Sequence, residues 1–428
     1  MERILINNLK ENENARISGM LKKVRNTKYM VFAVLEDRSG KIQVSVDKQN
    51  EELANTCASL LPGAVVSFTG KMVLSEYVKD GGKEFIPEGI EVLSKAEASP
   101  MDDNALPDTR MDYRWIDLRD EKKALTFKIQ SDMIKYLRDY CYAADFQEIH
   151  TPKLIGAASE SGSNVFEVKY FGGSAFLAQS PQFYKQMAIA SGIERVFEIA
   201  PVFRAENSNT NRHCTEFTSL DFEMAYIDSY VDVMRFEQDM LTHVLKNLKE
   251  NYGEIIKEKF GVDVIVPEKD FPIVELNDLY DELHKRYNYT IPEEDVGDLN
   301  AETEKLAYKY AMEEFNSEFI FIVGYPKTKR PFYHMRDGER LMGYDLLWKG
   351  MEITSGAQRE HRYDELKKNA DEKGLGKDVE FYLQFFKYGC PPHGGFAIGL
   401  ERLTMLLLGI ENIRDGQFIY RGPNRLNP

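Results

Sequence analysis

Cysteine is scarce in this chain. Four occur in 428 residues, Cys57, Cys141, Cys214 and Cys390, far apart and in no C-x-x-C pair. That spacing supports neither a disulfide framework nor a zinc site, so free thiols are expected. No apolar run approaches the roughly 20 residues that cross a bilayer. The start, Met1 to Lys10, is too polar for a signal peptide. No membrane partner is expected, and the expected location is cytoplasmic. No GxGxxG or Walker A signature occurs, so the usual parallel-sheet nucleotide folds lose support. Internal repeats and low-complexity tracts are also absent. With 29 Gly and 16 Pro, the composition excludes a collagen-like or disordered chain.

What is present is the make-up of a folded protein of two or three domains: 43% hydrophobic and 29% charged residues. Acidic residues outnumber basic ones 70 to 55, a formal charge of −15. This argues against wholesale coating by nucleic acid but leaves room for a local basic groove. Hydrophobic period divides the chain. Between Ala15 and Leu93 it is strand-like: Ile42, Val44 and Val46 alternate with Gln43, Ser45 and Asp47, and the run Ala64 to Phe68 is followed by Gly70. A helix-compatible insert, Asn50 to Leu61, interrupts these strands. That combination suits the five-stranded Greek-key barrel, the OB-fold, and equally a β domain that only packs.

Pro100, Asp102, Asp103, Asn104 and Pro107 mark a linker, taken as 99–120 between a barrel over 1–98 and a second domain over 121–428. There Leu125, Ile129, Met133, Ile134, Leu137 and Cys141 recur at helical spacing, and an extended run from Phe146 is stopped by Pro152. Strands such as Val196 to Ile199 and Glu318 to Val323 then mix with helices such as Tyr230 to Leu248. No β-α-β rhythm appears, which favours α+β.

Two stretches carry chemistry. Phe203 to Phe217 sets Arg204, Glu206, Arg212, His213 and Phe217 around a polar turn. An arginine fork can hold a phosphate, a carboxylate can accept from an exocyclic amine, and an aromatic face can take a purine. A solvated hairpin with surface ion pairs would read the same way. In Gly394 to Leu403, glycines lead into a helix near Leu400 and place Arg402 in its first turn, where anions are favoured; a plain turn is the simpler reading.

Taken in order, the helix and strand ending at Pro152, the stretch from Arg204 to Phe217, and Gly399-Leu400-Glu401-Arg402 resemble motifs 1, 2 and 3 of the class II aminoacyl-tRNA synthetases. The surrounding residues are most similar to aspartyl-tRNA synthetases of the archaeal and eukaryotic cytosolic type, over nearly the whole chain. The resemblance implies an OB-fold followed by a catalytic domain on an antiparallel sheet flanked by helices. It also implies a homodimer built on motif 1. The implied substrates are ATP, L-aspartate and tRNA-Asp, with tRNA-Asn a second acceptor decided by how the barrel reads one anticodon base.

By resemblance, Arg204 holds the ATP α-phosphate, Glu206 the adenine amine, and Arg212 and His213 the β- and γ-phosphates, while Phe217 and Arg402 stack on adenine. Glu352 and Ser355 would hold Mg2+. The segment Gln179 to Lys185 resembles the aspartyl signature, placing Gln182 at the amino acid's polar end and Lys185 at its side-chain carboxylate. Arg359, in the segment Ser355 to His361, would grip that carboxylate bidentately, and Asp221 would hold Lys185. Two cations facing one carboxylate favour aspartate over asparagine. Glu160, in the polar loop Gly156 to Ser163, would meet the ammonium; Ser161 there stands where the family commonly has glycine. Phe32, Gln43 and Glu97 would contact the anticodon by stacking and hydrogen bonding, although Phe32 could equally belong to the barrel core. Gly422 stands where the aspartyl pattern has an aspartate. The competing readings are an asparaginyl-tRNA synthetase and a synthetase-like paralogue that charges no tRNA.

Overall fold

The computed structural model describes residues 1–78, 81–102, 104–156, 165–207 and 210–428. It divides into two compact units, Met1–Leu106 and Pro107–Pro428.

In the first unit, β1 (Asn14–Asn26), β2 (Met30–Asp37), β3 (Gly40–Asp47), β4 (Val65–Leu74) and β5 (Lys83–Ser94) close a barrel in the order β1-β2-β3-β5-β4. The alternation drives the closure. Ile17, Val31, Ala33, Leu35, Val44, Val66, Phe68 and Phe85 point inward and are fully buried, and removing that apolar surface from water outweighs the cost of bending the sheet. At Gly70 the strands approach so closely that a Cβ would lie 2.1 Å from the Ile86 carbonyl oxygen. The insert is α1 (Glu51–Ala58), capped by the Asn50 side chain accepting from Leu53 N–H.

The second unit opens with α2 (Pro107–Asp112) and α3 (Arg114–Asp117), two short helices within the stretch expected to be linker. Arg114 explains their order. It is buried, pairs with Asp117, and donates to the carbonyls of Gln417 and Phe418 at 2.7 and 3.0 Å. The long helix α4 (Glu121–Ala143) buries Ile129, Met133, Leu137 and Cys141, the stripe read from the sequence. Only β6 (Gln147–Glu148) of the following extended run joins a sheet, because the Thr151 amide and hydroxyl donate instead to the Glu198 carboxylate.

A three-stranded sheet follows, of β7 (Leu154–Ile155), β8 (Glu167–Tyr170) and β9 (Gly173–Leu177), then α5 (Gln182–Ala190), β10 (Arg195–Phe203) and β11 (Glu216–Ala225). The 31-residue α6 (Tyr230–Phe260) starts at a Ser229/Asp232 capping box and stops at Gly261 in the left-handed region. After it come β12 (Ile273–Glu275), α7 (Leu276–Tyr287), α8 (Ala301–Phe315), β13 (Phe319–Val323), and a small hairpin of β14 (Arg336–Asp337) and β15 (Arg340–Leu341). The unit ends with β16 (Gly343–Trp348), β17 (Met351–Gln358), α9 (Tyr363–Glu372), α10 (Glu380–Lys387), β18 (His393–Gly399) and α11 (Leu400–Leu408).

The main sheet runs β12-β13-β16-β17-β18-β11-β10-β6. Its six central strands are antiparallel as expected, but each edge strand, β12 and β6, pairs in parallel. One face packs Phe197, Phe222, Phe396 and Ile398 against Ile129 and Met133 of α4 and Met240 and Val244 of α6. Strand alternation therefore sends Ser219, Asp221 and Glu223 of β11 to the opposite face.

Candidate active site

That opposite face holds a cavity of about 440 Å³, lined from α5, the β10–β11 connection, β11, residues 329–334, β17, and the β18–α11 junction. Arg204, Glu206, Arg212, His213, Phe217, Gln182, Lys185, Asp221, Glu352, Ser355, Arg359 and Arg402, all singled out from the sequence, line it. Glu160 lies outside the described residues.

At one end is a buried ionic cluster. The Lys185 ammonium is 3.2 Å from Asp221 Oδ1 and 3.3 Å from Glu223 Oε2, and donates to the carbonyls of Phe222 and Phe396 at 3.2 Å. Ser219 Oγ donates to Asp221 Oδ2 at 2.5 Å. Arg359 Nε donates to Glu223 Oε1 at 3.0 Å, Nη2 to the Gly395 carbonyl at 2.8 Å and to Glu223 Oε2 at 3.4 Å, and Nη1 to His334 Nε2 at 3.0 Å. Of its five N–H groups, one on Nη1 is left. In this structure the Arg359 fork lies on Glu223, a partner the sequence reading did not include, and among the described residues one N–H on Nη1 has no partner. Both cations already have carboxylate partners, so charge surplus alone does not select the ligand.

Burial favours a neutral Glu223, but Arg359 and Lys185 override it and hold the carboxyl below the usual range. An arginine cannot accept, so His334 Nε2 must, which fixes a neutral imidazole with its proton on Nδ1. Burial, followed by Arg359, Arg330 and Lys185, pushes its pKa far down. Gly395 makes room for this cluster: a Cβ there would sit 2.3 Å from Glu223 Oε2 and 2.0 Å from the Phe222 carbonyl oxygen. At that position the glycine admits a protein carboxylate, not a ligand.

The other end gathers Arg204, Arg212, Arg330 and Arg402 with His213. The Arg204 guanidinium lies over the Phe217 ring at 5.2 Å, covering the face expected to take a purine. Arg402 Nη1 donates to the Glu352 carbonyl at 2.6 Å. Arg212 pairs with Glu304 of α8 at 3.0 Å, and His213 Nδ1 meets Thr210 Oγ1 at 2.6 Å. Deeper, Arg330 pairs with Asp345 and donates to Ser355 Oγ at 3.1 Å. Burial and the neighbouring Asp345 push the Glu352 carboxyl up to about 8.

Buried Asp345 Oδ1 has no hydrogen-bond partner among the described residues. Among them no group of three or more His, Cys, Asp or Glu could hold a metal ion. The donor set still fits magnesium, which takes one or two carboxylates and completes its shell with water and substrate phosphates. Glu352 and Ser355 are among the oxygen donors of the wall, and the crowding of Glu352 by Asp345 would be relieved by a dication.

Sequence reasoning missed Glu223, His334, Glu304, Arg330 and Asp345. Period two from Asp221 places Glu223 on the same strand face and could have found it. The others come from distant segments, and no local pattern joins them to the site.

In the first unit, Phe32 and Gln43 lie on the outer face of β2 and β3. Phe32 is half-buried between fully buried Val31 and Ala33 and lies outside the core cluster, so it is not a barrel-core residue. Gln43 Nε2 donates to Ser45 Oγ, the residue opposite Phe32 in the register. Glu97 is exposed in the segment after β5. All four cysteines are free, and among the described residues no helix is long and apolar enough to cross a membrane.

Residues 106–418 match the tRNA synthetases class II (D, K and N), and residues 15–93 match the OB-fold nucleic acid binding domain. The chain belongs to the class II tRNA synthetases of the D, K and N group. Within that group it is 40% identical over 425 residues to the aspartate–tRNA(Asp/Asn) ligase of Aeropyrum pernix, covering 96% of this chain and 95% of the relative. It is 39% identical over 433 residues to the aspartate–tRNA(Asp) ligase of Pyrococcus horikoshii, covering 97% and 96%. The crystal structure of asparaginyl-tRNA synthetase from Pyrococcus horikoshii complexed with asparaginyl-adenylate superposes with a TM-score of 0.92 at 30% identity, covering all of both chains.

Proposed function

We propose that this enzyme is an aspartate–tRNA ligase, and that the ionic cluster of Lys185, Asp221, Glu223 and Arg359 is where the aspartate side chain is read. The observation that carries the reading is the Lys185 ammonium. Its four contacts all lie at 3.2–3.3 Å, longer than the 2.7–2.9 Å of a strong charge-assisted bond. It is centred among acceptors and gripped by none, so a β-carboxylate can draw it forward while Asp221 and Glu223 hold its rear. The remaining Arg359 N–H supplies the second contact. A neutral carboxamide would offer Lys185 no charge in exchange.

The aspartate α-carboxylate attacks the ATP α-phosphorus in line, the bond to pyrophosphate breaks, and aspartyl-adenylate forms. A terminal ribose hydroxyl of tRNA then attacks the carbonyl carbon and AMP leaves. No protein nucleophile is needed. Arg204 meets the charge that grows on the α-phosphate, Glu206 accepts from the adenine amine, and Phe217 and Arg402 flank the purine once Arg204 swings off the ring. Arg212 and His213 face the outer phosphates. Magnesium held by Glu352 and Ser355 supplies charge neutralisation when bound. Phe32, Gln43 and Glu97 contact the anticodon of tRNA-Asp, with tRNA-Asn as a second acceptor; the enzyme acts as a cytoplasmic homodimer.

ATP–pyrophosphate exchange without tRNA tests the reading, run with aspartate, with asparagine and with neither. Exchange with aspartate alone is expected. Exchange with asparagine alone would move the assignment to an asparagine–tRNA ligase, and none with either would favour a non-charging paralogue.

A further inference from the structure

The wall beside Lys185 contains a chain of hydrogen bonds that ends at Gln182, and its direction is forced. It starts at the Pro391 carbonyl, which can only accept, 2.8 Å from His393 Nδ1. The proton is therefore on Nδ1, and burial, which pushes this imidazole down to about 4, keeps it neutral. His393 Nε2 must then accept, and its partner at 2.9 Å is Gln186 Nε2. That places Gln186 Oε1 on the far side, where it accepts from Tyr382 Oη at 2.9 Å and from Gln182 Nε2 at 2.8 Å. Rotating the Gln186 amide would require a proton on His393 Nε2 and would set two lone pairs against each other at Pro391. Gln186, Tyr382 and His393 are fully buried, so no water can substitute for a lost partner.

We propose that His393, acting through Gln186, is a positioning residue that fixes the amide of Gln182 with its carbonyl oxygen toward the cavity. Gln182 lines the cavity, its nitrogen is committed to Gln186, and no donor among the described residues reaches its Oε1. A carbonyl oxygen is an acceptor, so it takes the α-ammonium of the amino acid and rejects a carboxylate. The inference rests on the aspartate site proposed above and decides which polar end of the substrate Gln182 meets. Helical spacing carries the last link: Gln182 and Gln186 are one turn apart on α5. The signal then crosses to β18, which brings His393 next to the strand residues that contact Lys185.

The test compares wild type with His393→Leu, His393→Gln and Tyr382→Phe in aspartate-dependent pyrophosphate exchange, with succinate, which lacks the ammonium, as a competitive inhibitor. His393→Leu is expected to raise the aspartate KM about tenfold or more, with the ATP KM and the succinate inhibition constant within about twofold. His393→Gln keeps an acceptor for Gln186, and Tyr382→Phe leaves the chain's direction intact, so both are expected to stay near wild type. An unchanged aspartate KM in His393→Leu, equal losses for aspartate and succinate, or a His393→Gln variant as damaged as His393→Leu would overturn the relay. Independently of whether any variant folds, the imidazole ¹⁵N shifts of His393 in the wild-type chain are expected to show the Nδ1–H tautomer; an Nε2–H form would also overturn it. A wild-type enzyme inert with aspartate would remove the underlying site as well, whereas an active one leaves only the relay at stake.

Discussion

Glu223 is shared by the two buried cations of the cluster, touching Lys185 at 3.3 Å and Arg359 at 3.0 Å. Glu223→Gln keeps its shape and removes its charge, leaving Lys185 with Asp221 and Arg359 with no carboxylate partner among the described residues. Breaking a buried pair by neutralising one partner costs roughly 3–5 kcal/mol, so a loss of stability of that order is expected in urea unfolding. Pyrophosphate exchange should show a raised aspartate KM with the ATP KM little changed, because Arg359 loses the anchor for two of its nitrogens. Equal stability and kinetics in variant and parent would remove Glu223 from the site. The same residue illustrates what a sequence conceals. Asp221, in the strand after Phe217, was given to Lys185 only through the family resemblance, while Glu223, two residues on, was given no role.

Among the elements, α6 and β17 are joined by a carboxyl in an apolar core. Glu237 accepts from Tyr344 Oη at 2.7 Å and pairs with Thr354 Oγ1; burial pushes it up to about 8. Its folded value lies above its unfolded one, so the folded state holds the proton more tightly. Its contribution is fully present below the ordinary carboxylate range and is lost as pH rises toward 8. Stability measured from pH 5 to 8 is expected to fall less steeply in Glu237→Gln than in wild type, with a difference on the order of a few kcal/mol at the upper end. Parallel pH profiles would contradict this.

At this scale the sequence was legible where periodicity is strong. The α4 stripe from Ile129 to Cys141 and the barrel alternation of Ile42, Val44 and Val46 were both readable. It was less legible where side chains replace ladder bonds, as where Glu198 takes the Thr151 amide. The buried Glu237 gave no warning, since a glutamate within a helix reads as solvated until its neighbours are known.

For the whole molecule, the proposed function assigns nucleic acid to the first unit and chemistry to the second, and one substitution can separate them. Phe32→Ala, on the outer face of the barrel, is expected to leave pyrophosphate exchange unchanged while lowering tRNA charging by roughly tenfold, a loss of about 1.4 kcal/mol that matches base stacking on an aromatic. A parallel loss of both activities would place Phe32 outside tRNA recognition. The bond pattern of Arg114 has a further consequence, for the order in which the chain acquires structure. Its guanidinium is buried against the carbonyls of residues more than 300 positions later, Gln417 and Phe418. As the chain leaves the ribosome, the barrel of the first unit can close once its own strands have emerged. Arg114 must wait, hydrated, until almost the entire second unit has been made. The segment that receives Arg114 is thus made long after the barrel strands, so the second unit acquires this buried contact later than the first unit acquires its core.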